Sequence, residues 1–120
     1  MAGIEAKSFD SPDETRQFQD HGHAEVLEVQ GRTVLRSVFE PGWKWTQDIK
    51  PIAGTDTCQT HHFGYCVSGR MRIVMDDGSE TEIGPGELVE IAPGHDAEVV
   101  GDETCVFVDF GDVSNYAASG

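Results

Sequence analysis

Turn-forming residues recur along this chain at short, regular spacing, and they constrain its fold more than any other feature. Gln30-Gly31, Pro41-Gly42, Ser68-Gly69, Asp77-Gly78, Gly84-Pro85-Gly86, Ala92-Pro93-Gly94 and Gly101-Asp102-Glu103 each interrupt a segment too short for a stable helix. The segments between them are rich in β-branched and aromatic residues, and several alternate apolar with polar. Strands are predicted over Ala24 to Val29, Thr33 to Phe39, Arg70 to Met75, Glu80 to Ile83, Leu88 to Ile91, His95 to Val100 and Cys105 to Phe110. No segment carries a helical period longer than two turns. The pattern predicts an all-β sandwich or barrel, whose closure or double-sheet packing protects the strand edges.

With 120 residues the chain suits one domain and one core. The expected division is an N-terminal arm over 1–23, a barrel over 24–113 and a flexible tail over 114–120. Within the arm, Ile4 to Phe9 is read as one strand, exchanged or added across an interface, and Pro12 to Phe18 as a brief helical turn capped by Ser11 or Asp13. His21 and His23 flank a glycine in a polar run and are expected in a solvated loop. The segment from Asp48 to Asp56 holds Pro51 and Gly54 with little periodicity and is read as a loop.

The formal net charge is −14, from 22 acidic against 8 basic residues spread along the chain. Such a field repels phosphate backbones and anionic lipid, so nucleic acid and membrane are excluded as expected partners. No stretch is long and apolar enough to span a bilayer, and no basic-then-apolar leader opens the sequence, so a cytoplasmic location is expected. Three cysteines, Cys58, Cys66 and Cys105, make neither a disulfide framework nor a zinc-knuckle spacing.

The chemistry concentrates between Gly54 and Met75, GTDTCQTHHFGYCVSGRMRIVM. A period of two places Cys58, Thr60, His62, Gly64 and Cys66 on one face, with Gln59, His61, Phe63, Tyr65 and Val67 on the other. One face is small and reactive, the other aromatic and apolar. Gly64 either widens a cavity beside His62 or relieves crowding in a curved strand. Trp43 and Trp45 share a side of an extended segment with Lys44 opposite, as core or cavity-wall rings or as an aromatic dimer surface. His95-Asp96 reads as an imidazole with an orienting carboxylate or as a polar turn.

The segments Tyr65-Cys66-Val67-Ser68-Gly69-Arg70-Met71, Gly84-Pro85-Gly86-Glu87 and Ile91-Ala92-Pro93-Gly94 resemble the conserved-barrel cupins. The resemblance covers about Val34 to Phe110 and implies a double-stranded β-helix, or jelly-roll barrel. That fold hosts binding proteins, isomerases, oxygenases and storage proteins, so it leaves function open. Metal-binding members carry a histidine pair and a glutamate in the first motif and a histidine in the second. Here His62 stands where the resemblance implies glutamate, Asp56 and Cys58 (or Thr55 and Thr57) where it implies the histidine pair, and Ala97 where it implies the last histidine.

An alternative shell of Cys58, His62, His95 and Asp56 is chemically suited to zinc or iron rather than magnesium or calcium. Without metal, Cys58 and His62 line a cavity as polar groups, or pair as thiolate and imidazole. Three functions therefore stand open. The first is a barrel binding a small organic molecule beside Trp43, Trp45, Cys58, His62, Gly64 and His95. The others are a metal-dependent oxygenase or isomerase and an interaction module acting as a homodimer.

Overall fold

The computed structural model describes residues 3–118. Nine strands are found among them: β1 (Glu14–Gln17), β2 (Gly22–Val29), β3 (Arg32–Phe39), β4 (His62–Ser68), β5 (Met71–Met75), β6 (Glu80–Ile83), β7 (Leu88–Ile91), β8 (His95–Val99) and β9 (Cys105–Asp109). They form a six-stranded sheet in the order β1-β2-β3-β9-β4-β7 and a three-stranded sheet in the order β6-β5-β8, with every pair antiparallel. The all-β expectation holds. Gln30 and Gly31 close the β2–β3 hairpin with positive φ at both positions (49° and 79°), as a primed turn requires.

One core lies between the sheets, built from the inward residues of each strand: Ala24 and Val26, Leu35 and Phe39, Cys66, Met71 and Ile73, Ile83, Ala97, Cys105 and Phe107. On β4 the alternation is strict. His62, Gly64 and Cys66 are buried, while Phe63, Tyr65 and Val67 are exposed. A register shift between Cys66 and Ser68 marks a bulge against β9. At Gly64 a Cβ would lie 2.1 Å from the Val108 carbonyl oxygen and 2.6 Å from the Phe107 ring, so this glycine lets β9 approach rather than opening space.

Several local expectations are corrected. No strand forms over Ile4 to Phe9, where Ile4 is exposed and Ser8 to Ser11 makes a turn. The predicted turn of helix over Pro12 to Phe18 is instead β1, the edge strand, whose inward residue is Arg16. The guanidinium of Arg16 donates to the carbonyls of Val113 (3.2 Å), Ser114 (2.8 Å) and Tyr116 (2.9 Å). Residues 114–118 are therefore drawn onto the barrel, with Tyr116 and Ala117 buried, and are not a free tail. Met1, Ala2, Ser119 and Gly120, which belong to the expected arm and tail, lie outside the described residues.

The loop expected over Asp48 to Asp56 is largely two single helical turns, α1 (Trp45–Asp48) and α2 (Lys50–Ala53), ended by Gly54 in the left-handed region. Pro51 fits the first turn of α2 because no intrahelical donor is lost there. His21 lies in the bend between β1 and β2, as a loop residue, but is half-buried rather than solvated. Its Nδ1 lies 3.2 Å from both carboxylate oxygens of buried Asp48. His23 stands on β2 beside Glu25. No helix is long and apolar enough to cross a membrane among the described residues.

Candidate functional site

Backbone pairing assembles the site. Cys58, outside any strand, forms an isolated antiparallel bridge with His95 at the start of β8. The Cys58 N–H donates to the His95 carbonyl at 2.7 Å, and the Cys58 carbonyl accepts from Gly94 (2.7 Å) and His95 (3.2 Å). This bridge settles the direction of His95, which alternation turns inward with Ala97. His62 opens β4 on the inward face, opposite Ile91 of β7. The ligating atoms of Cys58, His62 and His95 all lie within 4.8 Å of one another, and all three residues are buried.

Each histidine is fixed through its far nitrogen. His62 Nδ1 lies 2.6 Å from Asp109 Oδ2, and His95 Nδ1 lies 2.8 Å from the Ala92 carbonyl. A carbonyl only accepts, so His95 Nδ1 is the donor in this contact and Nε2 is the nitrogen left to act as a ligand. Asp109 is itself held, because its Oδ1 accepts from the N–H groups of Phe63 (3.2 Å) and Gly111 (3.0 Å). Cys58 Sγ is 3.5 Å from His62 Nε2. Tyr116 packs edge-on against the His62 ring at 5.1 Å.

Charge follows from this geometry. Burial alone would push the Cys58 thiol up, but its hydrogen bond to His62 and the neighbouring His95 outweigh burial and bring it down to about 6. Burial would likewise lower His62, yet the Asp109 carboxylate and the Cys58 sulfur raise it to about 9. Near neutral pH the result is a thiolate beside an imidazolium backed by a carboxylate. Cys105 shows the opposite case: burial and the adjacent Cys66 push its thiol up to about 12. Only Cys58 is chemically activated among the three free, buried cysteines.

The cavity beside these groups is lined by Ser37, Phe39, Trp43, Trp45, His62, Met71, Ile83, Ile91, His95, Ala97, Phe107, Asp109 and Tyr116. Its volume, about 30 Å³, accommodates about two or three water-sized spheres. A second groove of about 370 Å³ runs along α1, α2 and residues 115–118, and Cys58 lines it. Trp45 and Tyr116 border both spaces and form the wall between them.

Lys44 is extended and exposed and bridges to Glu98, which directs Trp43 and Trp45 inward together. Neither indole Nε1 has an acceptor among the described residues. Each ring buries about 150–250 Å², worth about 4–6 kcal/mol at 25 cal/mol per Å². An unpaired buried donor costs about 1–3 kcal/mol, so packing outweighs it and both rings stay in place.

Two residues of the sequence-derived set lie elsewhere. Asp56 is fully exposed, 3.5 Å from Lys50, and is no part of the cluster. Gly64 is under the Phe107 ring and does not line the cavity. Asp96 orients no imidazole; it accepts from the Thr46 N–H and hydroxyl. Sequence reasoning missed Asp109 and Tyr116. The inward alternation of β9 from Cys105 through Phe107 carries the signal for Asp109, a carboxylate where an apolar residue is expected. No local signal marks Tyr116.

Among solved structures, the chain is similar to a sugar phosphate isomerase of the cupin superfamily from Silicibacter pomeroyi (TM-score 0.61, 21% identity, covering 88% of this chain and 73% of that one). This is the cupin fold. The cupin barrel here is also similar to ectoine synthase from P. lautus (TM-score 0.61, 14% identity, 91% and 78% covered). A third similar structure is an uncharacterised conserved protein with a double-stranded β-helix domain from Klebsiella pneumoniae (TM-score 0.56, 20% identity, 94% and 93% covered). No family model matches the sequence, and no curated protein matches it. At these identities the likeness establishes the fold, and function rests on the site.

Proposed function

We propose that this cupin barrel is a metal-dependent enzyme acting on a small molecule, with one zinc or ferrous ion held by Cys58, His62 and His95. The convergence of three ligand atoms, with both imidazoles fixed through their far nitrogens, carries the reading. Metal-binding histidines almost always donate their other N–H to a carboxylate or carbonyl. The donor set fits the ion. Metal–ligand bonds of about 2.0–2.3 Å place tetrahedral ligands about 3.3–3.7 Å apart, and the sulfur-to-His62 distance of 3.5 Å lies in that range.

Three protein ligands leave one position for a substrate or water, as catalytic rather than structural sites do. The ion would supply a Lewis acid that polarises a substrate oxygen, the chemistry an isomerase or an oxygenase starts from. The chain's own residues supply the rest. Asp109 holds the His62 ring and its Nδ1 proton, the Ala92 carbonyl does the same for His95, and Trp43, Trp45, Phe107 and Tyr116 exclude bulk water. The size of the cavity admits a compact substrate.

Loading with cobalt(II) tests this reading. A thiolate-to-cobalt charge-transfer band that vanishes in Cys58→Ser supports it, and a spectrum of aqueous cobalt alone contradicts it.

A second reading has a specific observation behind it. The line from Cys58 through His62 to Asp109, 3.5 Å and 2.6 Å, is also a metal-free nucleophile with its base and orienter. Rapid alkylation of Cys58 by iodoacetamide, unchanged by a chelator, would favour it. Alkylation appearing only after chelation favours the metal.

A further inference from the structure

His62 and His95 line the inner cavity, whereas Cys58 lines the outer groove. An ion held by all three therefore sits at the wall between the two spaces. Trp45 and Tyr116 are the side chains that border both, so a ligand reaching the ion from either space passes them. Their polar ends differ. The Trp45 nitrogen is sealed in the packing, closed even to water. The Tyr116 hydroxyl likewise has no hydrogen-bond partner among the described residues, but its oxygen is not sealed and meets open space. Such a group is paired by whatever occupies that space.

The hydroxyl also belongs to the centre. Its ring packs edge-on against His62, with centroids 5.1 Å apart. A phenol is protonated at neutral pH, and here burial, then the charges of Cys58 and Asp109, hold it further from ionisation. Both of those anions have partners already. Cys58 meets His62, and Asp109 takes His62, Phe63 and Gly111. The Tyr116 proton is left for a ligand.

We infer that Tyr116 is a catalytic residue whose hydroxyl donates a hydrogen bond to the substrate oxygen held at the ion's open position. The ion and the phenol then polarise one oxygen from two sides, where charge develops as the substrate reacts. The inference rests on the metal-centre reading above. It narrows the substrate to a small molecule presenting a carbonyl or hydroxyl oxygen, whose lone pairs serve both partners.

The chain has two tyrosines, and Tyr65 is exposed on the outer face of β4, so it is an internal control. Full-length protein carrying tyrosine labelled with ¹³C at Cζ gives two signals that report on the hydroxyls, and Tyr116→Phe assigns them. The zinc-loaded protein is titrated with sodium azide, a small anion that ligates zinc and accepts hydrogen bonds, against sodium chloride at matched ionic strength. Zinc content is read on the same sample, and azide affinity is read from the absorption of the cobalt-loaded protein. Tyr116→Phe keeps the ring against His62 and the backbone carbonyl that Arg16 holds.

The Tyr116 signal is expected to shift saturably with azide while the Tyr65 signal stays. Tyr116→Phe is expected to keep its metal and bind azide about tenfold more weakly, the loss of one charge-assisted hydrogen bond. A zinc-loaded protein whose Tyr116 signal does not move, or a Tyr116→Phe variant that binds azide as the parent does, overturns this inference alone. A cobalt spectrum unmoved by azide overturns it too, since the ion then has no open position. A protein that takes up neither metal overturns the metal-centre reading and this inference together.

Discussion

His62 Nδ1 and Asp109 Oδ2 lie 2.6 Å apart, both buried, on adjacent strands of the six-stranded sheet. The contact gives the thiolate of Cys58 a cationic neighbour and aims His62 Nε2 at the Cys58 sulfur. Asp109→Asn keeps the size of the side chain and removes its charge. The variant is expected to fold and to bind zinc about 10–100-fold more weakly, the usual effect of losing a carboxylate behind a metal-binding histidine. Competition against a chromophoric chelator measures this, and unchanged affinity would show that Asp109 plays no part in the centre.

Arg16 is the latch for residues 113–118. Its guanidinium donates to three carbonyls of that segment, and Arg16→Met removes all three bonds and leaves the buried Tyr116 carbonyl without its donor, while the Val113 carbonyl still accepts from the Tyr116 N–H. A loss of about 2–3 kcal/mol is expected on urea denaturation. Faster amide exchange should appear over 113–118 but not over β5 or β8. Uniform exchange across the chain would mean that the segment has no separate anchor.

His21 gives a dependence on pH. Its hydrogen bond with Asp48 outweighs burial and raises its pKa above the ordinary value, helped by the charges of Asp48, Asp20 and Glu40. The stabilisation is therefore fully present below the unfolded-state value of about 6.5 and is lost as pH rises through the higher folded-state value. The stability difference between the parent and His21→Gln should favour the parent at pH 5.5 and shrink toward pH 9. A difference that is constant with pH contradicts the pairing.

The outer face of β4 exposes Phe63, Tyr65 and Val67, joined by Leu88 of β7, which pairs with Tyr65, and by Phe110. We propose a second copy of the chain as its partner. The patch is mainly apolar, with Glu90 opposite Phe63 as its one carboxylate within the β4–β7 pair, and such a face is where two molecules of net charge −14 meet with least repulsion. Sedimentation equilibrium should show a dimer that Leu88→Glu dissociates. A parent chain that sediments as a monomer at all concentrations contradicts the proposal.

The barrel was legible because turns and alternation are local properties. Gln30-Gly31 closes its hairpin, and the inward series His62, Gly64, Cys66 is read directly from a period of two. β1 was not legible because its inward residue is Arg16, a charge held inside by carbonyls about a hundred positions away as well as by Glu14 on its own strand. The site divides in the same way. Cys58 and His62 are close in sequence, but His95 joins them through a backbone bridge, and Asp109 and Tyr116 join through sheet pairing and the Arg16 latch. Asp56 looked suitable by spacing alone, yet α2 and the turn after it leave its side chain in solvent beside Lys50.

Elemental analysis of untagged protein, alongside Cys58→Ala, His62→Ala and His95→Ala, tests the central claim most directly. The account predicts about one equivalent of zinc or iron per chain, retained through gel filtration and lost in each variant while the β-sheet circular dichroism persists. A parent protein that holds no metal even after incubation with zinc or ferrous salt, or that keeps its metal in all three variants, would contradict it.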